Sequence, residues 1–276
     1  MDEEIAAKME LEEPRRPIEQ LQNIIIDEVQ FDGPIHISDS DRQQLVSEMK
    51  QRDFSDATDW MGEVQEIGIK GMWRNRGYFE VEATAKEEIV RKDSAGEHVL
   101  VIIHVDEGPQ YRLGDIRFRS SDPEEPLAFQ SEELRKLIPV SEGDIFSAEK
   151  IREGLSALNR LYGSEGYIDF VAEPLTDIDD GPEHRISLVM ELSQEKQYRL
   201  GRVEVFGSNP AMEMFLKSKL KPGDIFGSRT IENFLKENKA VLPADISPED
   251  FEFHRNTKTG TVNVRLNLQS CSQLQD

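Results

Sequence analysis

The chain has 276 residues, 37% hydrophobic and 32% charged, and a formal net charge of −22 from 55 acidic and 33 basic side chains. That balance argues against wrapping nucleic acid or lying flat on an anionic bilayer, because both need a positive surface. The single cysteine, Cys271, excludes a disulfide scaffold within the chain and reads as an idle terminal residue.

Residues 1–21 read as an acidic, flexible tail, with seven acidic and three basic residues among the first 20. The tail has no apolar h-region and no small-residue cleavage site, so no export signal is visible in it. Arg15 and Arg16, between Pro14 and Pro17, read as a stiff, solvated joint. The longest apolar runs, such as Val99–Ile103, are strand-sized, so no membrane-spanning helix is predicted. All strand-like segments fall inside the repeats described next, so no transmembrane barrel is predicted either.

From residue 22 the chain repeats itself. Gln-Tyr-Arg-Leu-Gly occurs at 110–114 and again at 197–201, and Gly-Asp-Ile-Phe follows each copy, at 143–146 and 223–226. Solenoid units run about 20–50 residues, and these spacings are longer, so each unit is a small domain. Counting back from Gln110 places a degenerate first copy over 22–109, followed by 110–196, 197–270 and a short tail, 271–276.

In the first copy, Phe54-Ser55 opens the second helix, with Asp59 where an apolar staple partner would sit and Trp60 one residue on. Trp60 and Trp73 are at helical spacing and read as core residues. Gly77-Tyr78 leaves the helix through a positive φ and starts a strand, Tyr78–Ala83. His98–Val105 is nearly continuously apolar and belongs at the centre of a sheet, which puts the strand after Gly-Tyr at an edge.

In the middle copy, Tyr111–Arg119 alternates as a strand with one inward face. Ser131 is the expected cap of a short helix carrying Leu134, Leu137 and Ile138, stopped by Pro139. Ser147 caps a second helix whose stripe is Ile151, Leu155, Leu158 and Tyr162, with Phe146 stapled to Ile151. Gly166-Tyr167 starts the edge strand Tyr167–Ala172. Turn chemistry covers Pro174–Gly181, and Arg185–Leu192 is the last strand. The third copy keeps the strand Tyr198–Phe206, both helices, the pair Phe226 and Ile231, and the strand Thr261–Leu268. It replaces Gly-Tyr with a longer loop, Leu242–Pro248, before a short edge strand over Asp250–Phe253.

The predicted fold class is therefore α+β: three tandem βααββ units, each a three-stranded mixed sheet covered on one face by two helices. This order, with Tyr-x-Leu-Gly-x-Ile opening the unit and Gly-Tyr before the edge strand, resembles the POTRA domain, the polypeptide-transport-associated repeat of outer-membrane assembly factors and two-partner secretion proteins. The likeness covers about residues 22–270 and is strongest in the middle copy. It implies a non-catalytic periplasmic module, associated with the outer membrane, that binds unfolded outer-membrane or secreted proteins. The implied partners are an assembly-factor barrel or accessory lipoproteins, bound partly by adding a strand to an open edge. On this reading the partner-binding residues are Tyr78, Phe79, Val81, Tyr167, Ile168 and Phe170. The alternative is a structural spacer or adaptor of an envelope complex, for which rigid junctions would argue; hinges near Pro109 and Gln197 would argue for client handling.

No enzyme signature, cofactor or metal is implied. His36, His98, His104, His184 and His254 are scattered, with no ligand at metal spacing on a shared helix. Asp177–Gly181 resembles the start of a calcium loop, but its twelfth position is Leu188, so it reads as a hairpin turn.

Overall fold

The computed structural model describes residues 22–56 and 59–268. The acidic tail, with Arg15 and Arg16, and the terminal Cys271 lie outside the described residues. The chain forms two compact units: the first runs to Arg112 and takes in Asp144–Ala148 and Pro182–His184, and the second holds the rest.

The first unit is built on β1 (Asn23–Asp32), α1 (Asp39–Gln51), β2 (Phe54–Ser55), α2 (Trp60–Glu63), a π-helical stretch (Val64–Ile69), α3 (Lys70–Arg74), β3 (Glu82–Asp93) and β4 (Gly96–Asp106). Its sheet has the order β2-β1-β4-β3, with β1 and β4 parallel and β3 and β4 antiparallel. The apolar β4 is thus internal, as expected of a strand with Val99, Val101 and Ile103 fully buried. A fourth strand is added to the expected three, because Phe54 and Ser55 pair with Ile24 and Asn23 instead of opening a helix. The Asp59 side chain caps the following helix through the Gly62 N–H (3.0 Å), and Phe54 packs on Trp60 at 5.6 Å between ring centroids. The aromatic pair does the work assigned to a staple, one residue later than in the other copies.

The buried residues of the second helical element, Trp60, Val64, Ile69 and Trp73, are spaced four, five and four apart. A step of five would rotate Ile69 off the buried stripe of an α-helix. The π-helical turn over Val64–Ile69, with its i→i+5 bonds, returns it to the core.

The second unit contains two sheets. One is formed by β5 (Arg112–Ser120), β6 (Val171–Asp179) and β7 (Arg185–Ser193) in the order β5-β7-β6; the other by β8 (Arg199–Phe206), β9 (Phe251–Asn256) and β10 (Thr261–Asn267) in the order β8-β10-β9. The helices are α4 (Ser131–Arg135), α5 (Ala148–Ser164), α6 (Pro210–Lys219) and α7 (Thr230–Asn238). The cap of α4 is Gln130, in a reciprocal box with Glu133, one residue before the expected Ser131. On α5, Ile151, Leu158 and Tyr162 are buried and Leu155 is half-buried, so the predicted stripe faces inward.

Pro174 does not end the edge strand. β6 continues to Asp179 with Pro174 opposite Met190, since an outermost strand needs no ladder bonds on one side and tolerates the missing N–H. The turn is confined to the end of the hairpin, where the Asp179 carboxylate accepts the Gly181 N–H (2.9 Å).

The duplicated motifs prove to be hydrogen-bonded to each other. In the third copy the Phe226 N–H donates to Tyr198 O (2.9 Å) and the Gly223 N–H to Leu200 O (2.7 Å), while Arg199 and Ile225 form an antiparallel bridge. In the first unit the Phe146 N–H donates likewise to Tyr111 O (3.0 Å). The final glycine of each Gln-Tyr-Arg-Leu-Gly makes room for a polar side chain of the central strand. A Cβ on Gly114 would lie 2.2 Å from Ser187 Oγ, and one on Gly201 2.3 Å from Asn263 Oδ1.

Gly166 has φ 91°, and a Cβ there would sit 2.9 Å from both Ile225 Cγ2 and Tyr198 O. Gly166→Ala should therefore cost about 1–3 kcal/mol. Gly71→Ala, in α3 with nothing within 4 Å of the new methyl, should be neutral or stabilise by up to about 1 kcal/mol. Urea denaturation of both variants checks the pair.

Candidate functional site

The outermost strands on the far side from β1, β5 and β8 are β3, β6 and β9. Two of them begin later than the sequence predicts. After Gly77, the Tyr78 N–H returns to Trp73 O (3.1 Å) and the Val81 N–H to Tyr78 O (3.4 Å). After Gly166, the Tyr167 N–H returns to Tyr162 O (3.0 Å) and the Phe170 N–H to Tyr167 O (3.2 Å). These bonds curl 78–81 and 167–170 into turns, and the strands proper start at Glu82 and Val171.

The six residues singled out from the sequence thus occupy the shoulders of the edges. Tyr78, Val81 and Phe170 are buried. Phe79 is half-buried and packs edge-on against Phe146 at 5.6 Å. Tyr167 lies edge-on to Tyr162 at 5.7 Å, and Phe170 stacks flat on the same ring at 3.9 Å. Ile168 is half-buried and faces a cavity. The apolar side chains that the edges expose lie further along: Ile89 and Val90 on β3, Val171, Leu175 and Ile178 on β6, and Phe253 on β9. Val171 and Phe253 fall inside the predicted edge strands but were not singled out, and the other four were missed because the strands were stopped at Ala83 and Ala172; the apolar pair Ile89-Val90 among charged residues was the available signal.

In the second unit, Ile168 joins Phe226, Ile231, Phe253, Val262 and Arg255 around a cavity of about 330 Å³. On β9, Phe253 and Arg255 are opposite Val264 and Val262, so both project to the same face as the buried valines. The cavity therefore lies between α7 and the edge strand β9. Arg255 is held in place by Asp169, which accepts from its Nη1 (2.7 Å) and from the Tyr198 hydroxyl (2.7 Å). The hydrogen bond to Asp169 and burial both push the Tyr198 hydroxyl above its ordinary range.

The chain around Gln197 is knitted to the preceding repeat. The Tyr198 N–H donates to Gly166 O (2.8 Å), the Ser228 N–H to Gly163 O (2.8 Å) and the Gln197 side-chain amide to Glu165 O (2.9 Å). The segment is a clasp, not a free hinge.

One carboxylate is buried. Glu107, 6% exposed, accepts from the His36 N–H (2.8 Å) and the Trp73 indole N–H (2.7 Å), with the His36 ring 2.6 Å away. Burial pushes its pKa up, but the hydrogen bonds outweigh burial and hold it below the ordinary 4.5. Trp73 and Tyr162 occupy corresponding places, yet the Tyr162 hydroxyl is buried without a partner among the described residues. Burial pushes that hydroxyl up to about 12. His98, read from sequence as a strand end, is a buried residue of β4 bonded to Asp27 Oδ1 (2.8 Å). Among the described residues no group of three or more His, Cys, Asp or Glu side chains could hold a metal ion, and no helix is long and apolar enough to cross a membrane.

A lowered carboxylate stabilises the fold above its unfolded pKa and loses that contribution as pH falls through the native value. The first unit should therefore lose stability below about pH 4.5. Glu107→Gln should cost about 1–3 kcal/mol at neutral pH and flatten this acid slope, as measured by denaturant midpoints across pH. Tyr162→Phe removes an unpaired buried hydroxyl and should leave stability unchanged or raise it by up to about 1 kcal/mol in the same assay.

The POTRA family model, described as a surface antigen variable number repeat, matches residues 111–194. A Treponema pallidum (strain Nichols) protein named as a candidate outer membrane protein assembly factor is 23% identical over 225 residues, covering 79% of this chain and 26% of the relative. The chain thus spans about a quarter of that relative's length. Among solved structures, the POTRA3-5 segment of Haemophilus influenzae BamA matches with a TM-score of 0.56 at 19% identity, over 92% of this chain and 98% of that one. The POTRA1-3 segment of Anabaena Omp85 matches with a TM-score of 0.37 at 15% identity, over 89% and 95%. The BamA likeness establishes a shared fold, that of tandem POTRA units.

Proposed function

We propose that this chain, a POTRA-domain protein, is a non-catalytic binding module of outer-membrane protein assembly or secretion, with units at 22–109, 110–196 and 197–270. Its place is the periplasm beside the outer membrane. Its partners are unfolded outer-membrane or secreted proteins, together with an assembly-factor barrel or accessory lipoproteins. The observation that carries this reading is the outer side of β3 and β6, 12 and nine residues long, which has no strand against it among the described residues and exposes apolar side chains.

Unpaired backbone groups on an outermost strand accept an extended peptide whatever its side chains, as a carrier of many clients requires. The turns ahead of these strands set where such a peptide can start. Tyr78, Val81 and Phe170 anchor the turns in the core, while Phe79, Tyr167 and Ile168 stay partly accessible just ahead of the strands. In the third copy, β9 and the cavity by Phe253 and Arg255 add a pocket of the size of one apolar side chain or two.

A second reading, a spacer that holds partners at a distance, is favoured by the clasp at Gln197. The two part company on hydrogen exchange. A strand-forming peptide with an apolar face should slow exchange of amides in β3 and β6, and Val171→Lys with Leu175→Lys should weaken its binding to β6 about tenfold, roughly 1.4 kcal/mol. Unchanged exchange at saturating peptide would leave the spacer.

A further inference from the structure

We propose that β3 is a self-association surface, which pairs antiparallel with β3 of a second folded copy of this chain about a two-fold axis normal to the sheet, between Ile89 and Val90. β3 is outermost in the first sheet, with no strand beyond it among the described residues. From Lys86 to Asp93 every side chain is exposed, including Ile89 at 50% and Val90 at 60%. This half of the strand is accessible along its edge and on both faces.

The sequence of the strand selects the partner. Lys86-Glu87-Glu88-Ile89-Val90-Arg91-Lys92-Asp93 is complementary to its own reverse. Laid antiparallel about its centre, Lys86 meets Asp93, Glu87 meets Lys92, Glu88 meets Arg91 and Ile89 meets Val90, so every charged residue has the opposite charge across from it. The two-fold axis makes each of these pairs twice, and directly opposite pairs of unlike charge favour an antiparallel ladder.

Paired side chains must also lie on one face of the sheet. In a regular strand Glu88 and Arg91, three positions apart, would point to opposite faces. On β3 they do not, because the register against β4 shifts between Ile89 and Arg91, with Val90 as the extra residue of a bulge. Glu88 is opposite Leu100 and Arg91 opposite His98, so both share one face; Glu87 and Lys92, opposite Val101 and Glu97, share the other. The bulge thus places both members of each charged pair where the second copy needs them. The other two edges fail this condition. β6 has no lysine or arginine between Val171 and Asp179. β9 has Glu252 and Arg255 at the same spacing but no bulge, so they lie opposite Arg265 and Val262, on different faces. Bulges and charges commonly keep an edge from pairing; on β3 their arrangement admits the chain itself.

Within their own hairpin Arg91 and Lys92 are ion-paired with Asp93 and Glu97, and Arg91 also reaches His98 and Asp27. Glu87 and Glu88 instead stand opposite apolar residues of β4, and pairing gives these two carboxylates a cation across the new ladder. Exposed ion pairs of the first kind are weak and can be shared. The proposal needs only the uncovered edge and does not rest on client binding; a dimer would occupy β3 and leave β6 accessible.

The test uses the full chain without any peptide, in sedimentation equilibrium, with amide exchange followed by NMR. The chain should dimerise with a Kd below about 1 mM, and amides of 86–93 should exchange more slowly as concentration rises. Glu87→Lys alone and Lys92→Glu alone should each weaken the dimer about tenfold, because like charges then oppose each other twice. Mixing the two variants should restore a heterodimer, and combining both substitutions in one chain should restore the homodimer. Both side chains are exposed, and an unchanged denaturation midpoint shows that the variants are folded. A chain that stays monomeric up to about 1 mM, a dimer insensitive to either substitution, or a mixture that associates no better than the separate variants would each overturn the proposal. Peptide protection of β3 and β6 is a separate measurement, so the failure of either reading leaves the other standing.

Discussion

A glycine with no room for a side chain governs how the second and third repeats meet. Gly166 leaves α5 with φ 91°, gives its carbonyl to the Tyr198 N–H, and lies so close to Ile225 and Tyr198 O that a methyl group would collide with both. Three motifs separated in sequence thereby become one object: Gly-Tyr from one repeat, Gln-Tyr-Arg-Leu-Gly and Gly-Asp-Ile-Phe from the next. Gly77 repeats the arrangement within the first unit, with φ 88° and a would-be Cβ 2.8 Å from Ile145 Cγ2 and Tyr111 O. Close backbone approach of this kind is available only to glycine, which is why the dipeptide is found at both positions.

The clasp also shapes the outermost strands. Because the chain curls immediately after the glycine, the aromatic residues that follow turn inward, and the strand that leaves the turn is displaced along the sheet. Phe170 stacked on Tyr162 closes the core at this corner. The edge is left to Val171–Asp179, whose exposed apolar residues are what a partner would meet. In the first unit Trp73 fills the corner instead, and its indole N–H fixes Glu107. The same architectural place is thus satisfied once by a ring with a buried acceptor and once by a ring whose hydroxyl has none.

Charge does not separate the two sides of the first sheet. β3 mixes Glu82, Glu87, Glu88 and Asp93 with Lys86, Arg91 and Lys92, while β1 carries Asp27, Glu28 and Asp32. In a strongly acidic chain the general surface gives solubility, and the exposed apolar side chains stand out against it.

Much of this was legible from residues alone. The repeat, the internal placement of His98–Val105, the stripe on α5 and the hairpin at Asp179–Gly181 all follow from period, apolar continuity and turn chemistry, which act over short stretches of chain. Tertiary structure decided what depends on distant partners. Phe54 and Ser55 became a strand because Asn23 and Ile24 offered an uncovered side, and a π-turn absorbed the five-residue step to Ile69 because the core demanded it. Pro174 stayed in a strand because no strand lies beyond it among the described residues, and Tyr78, Val81 and Phe170 were drawn into the core at the turns. A local pattern specifies which face of an element is apolar; only the packed fold specifies which backbone groups remain without partners, and it is those that form the candidate site.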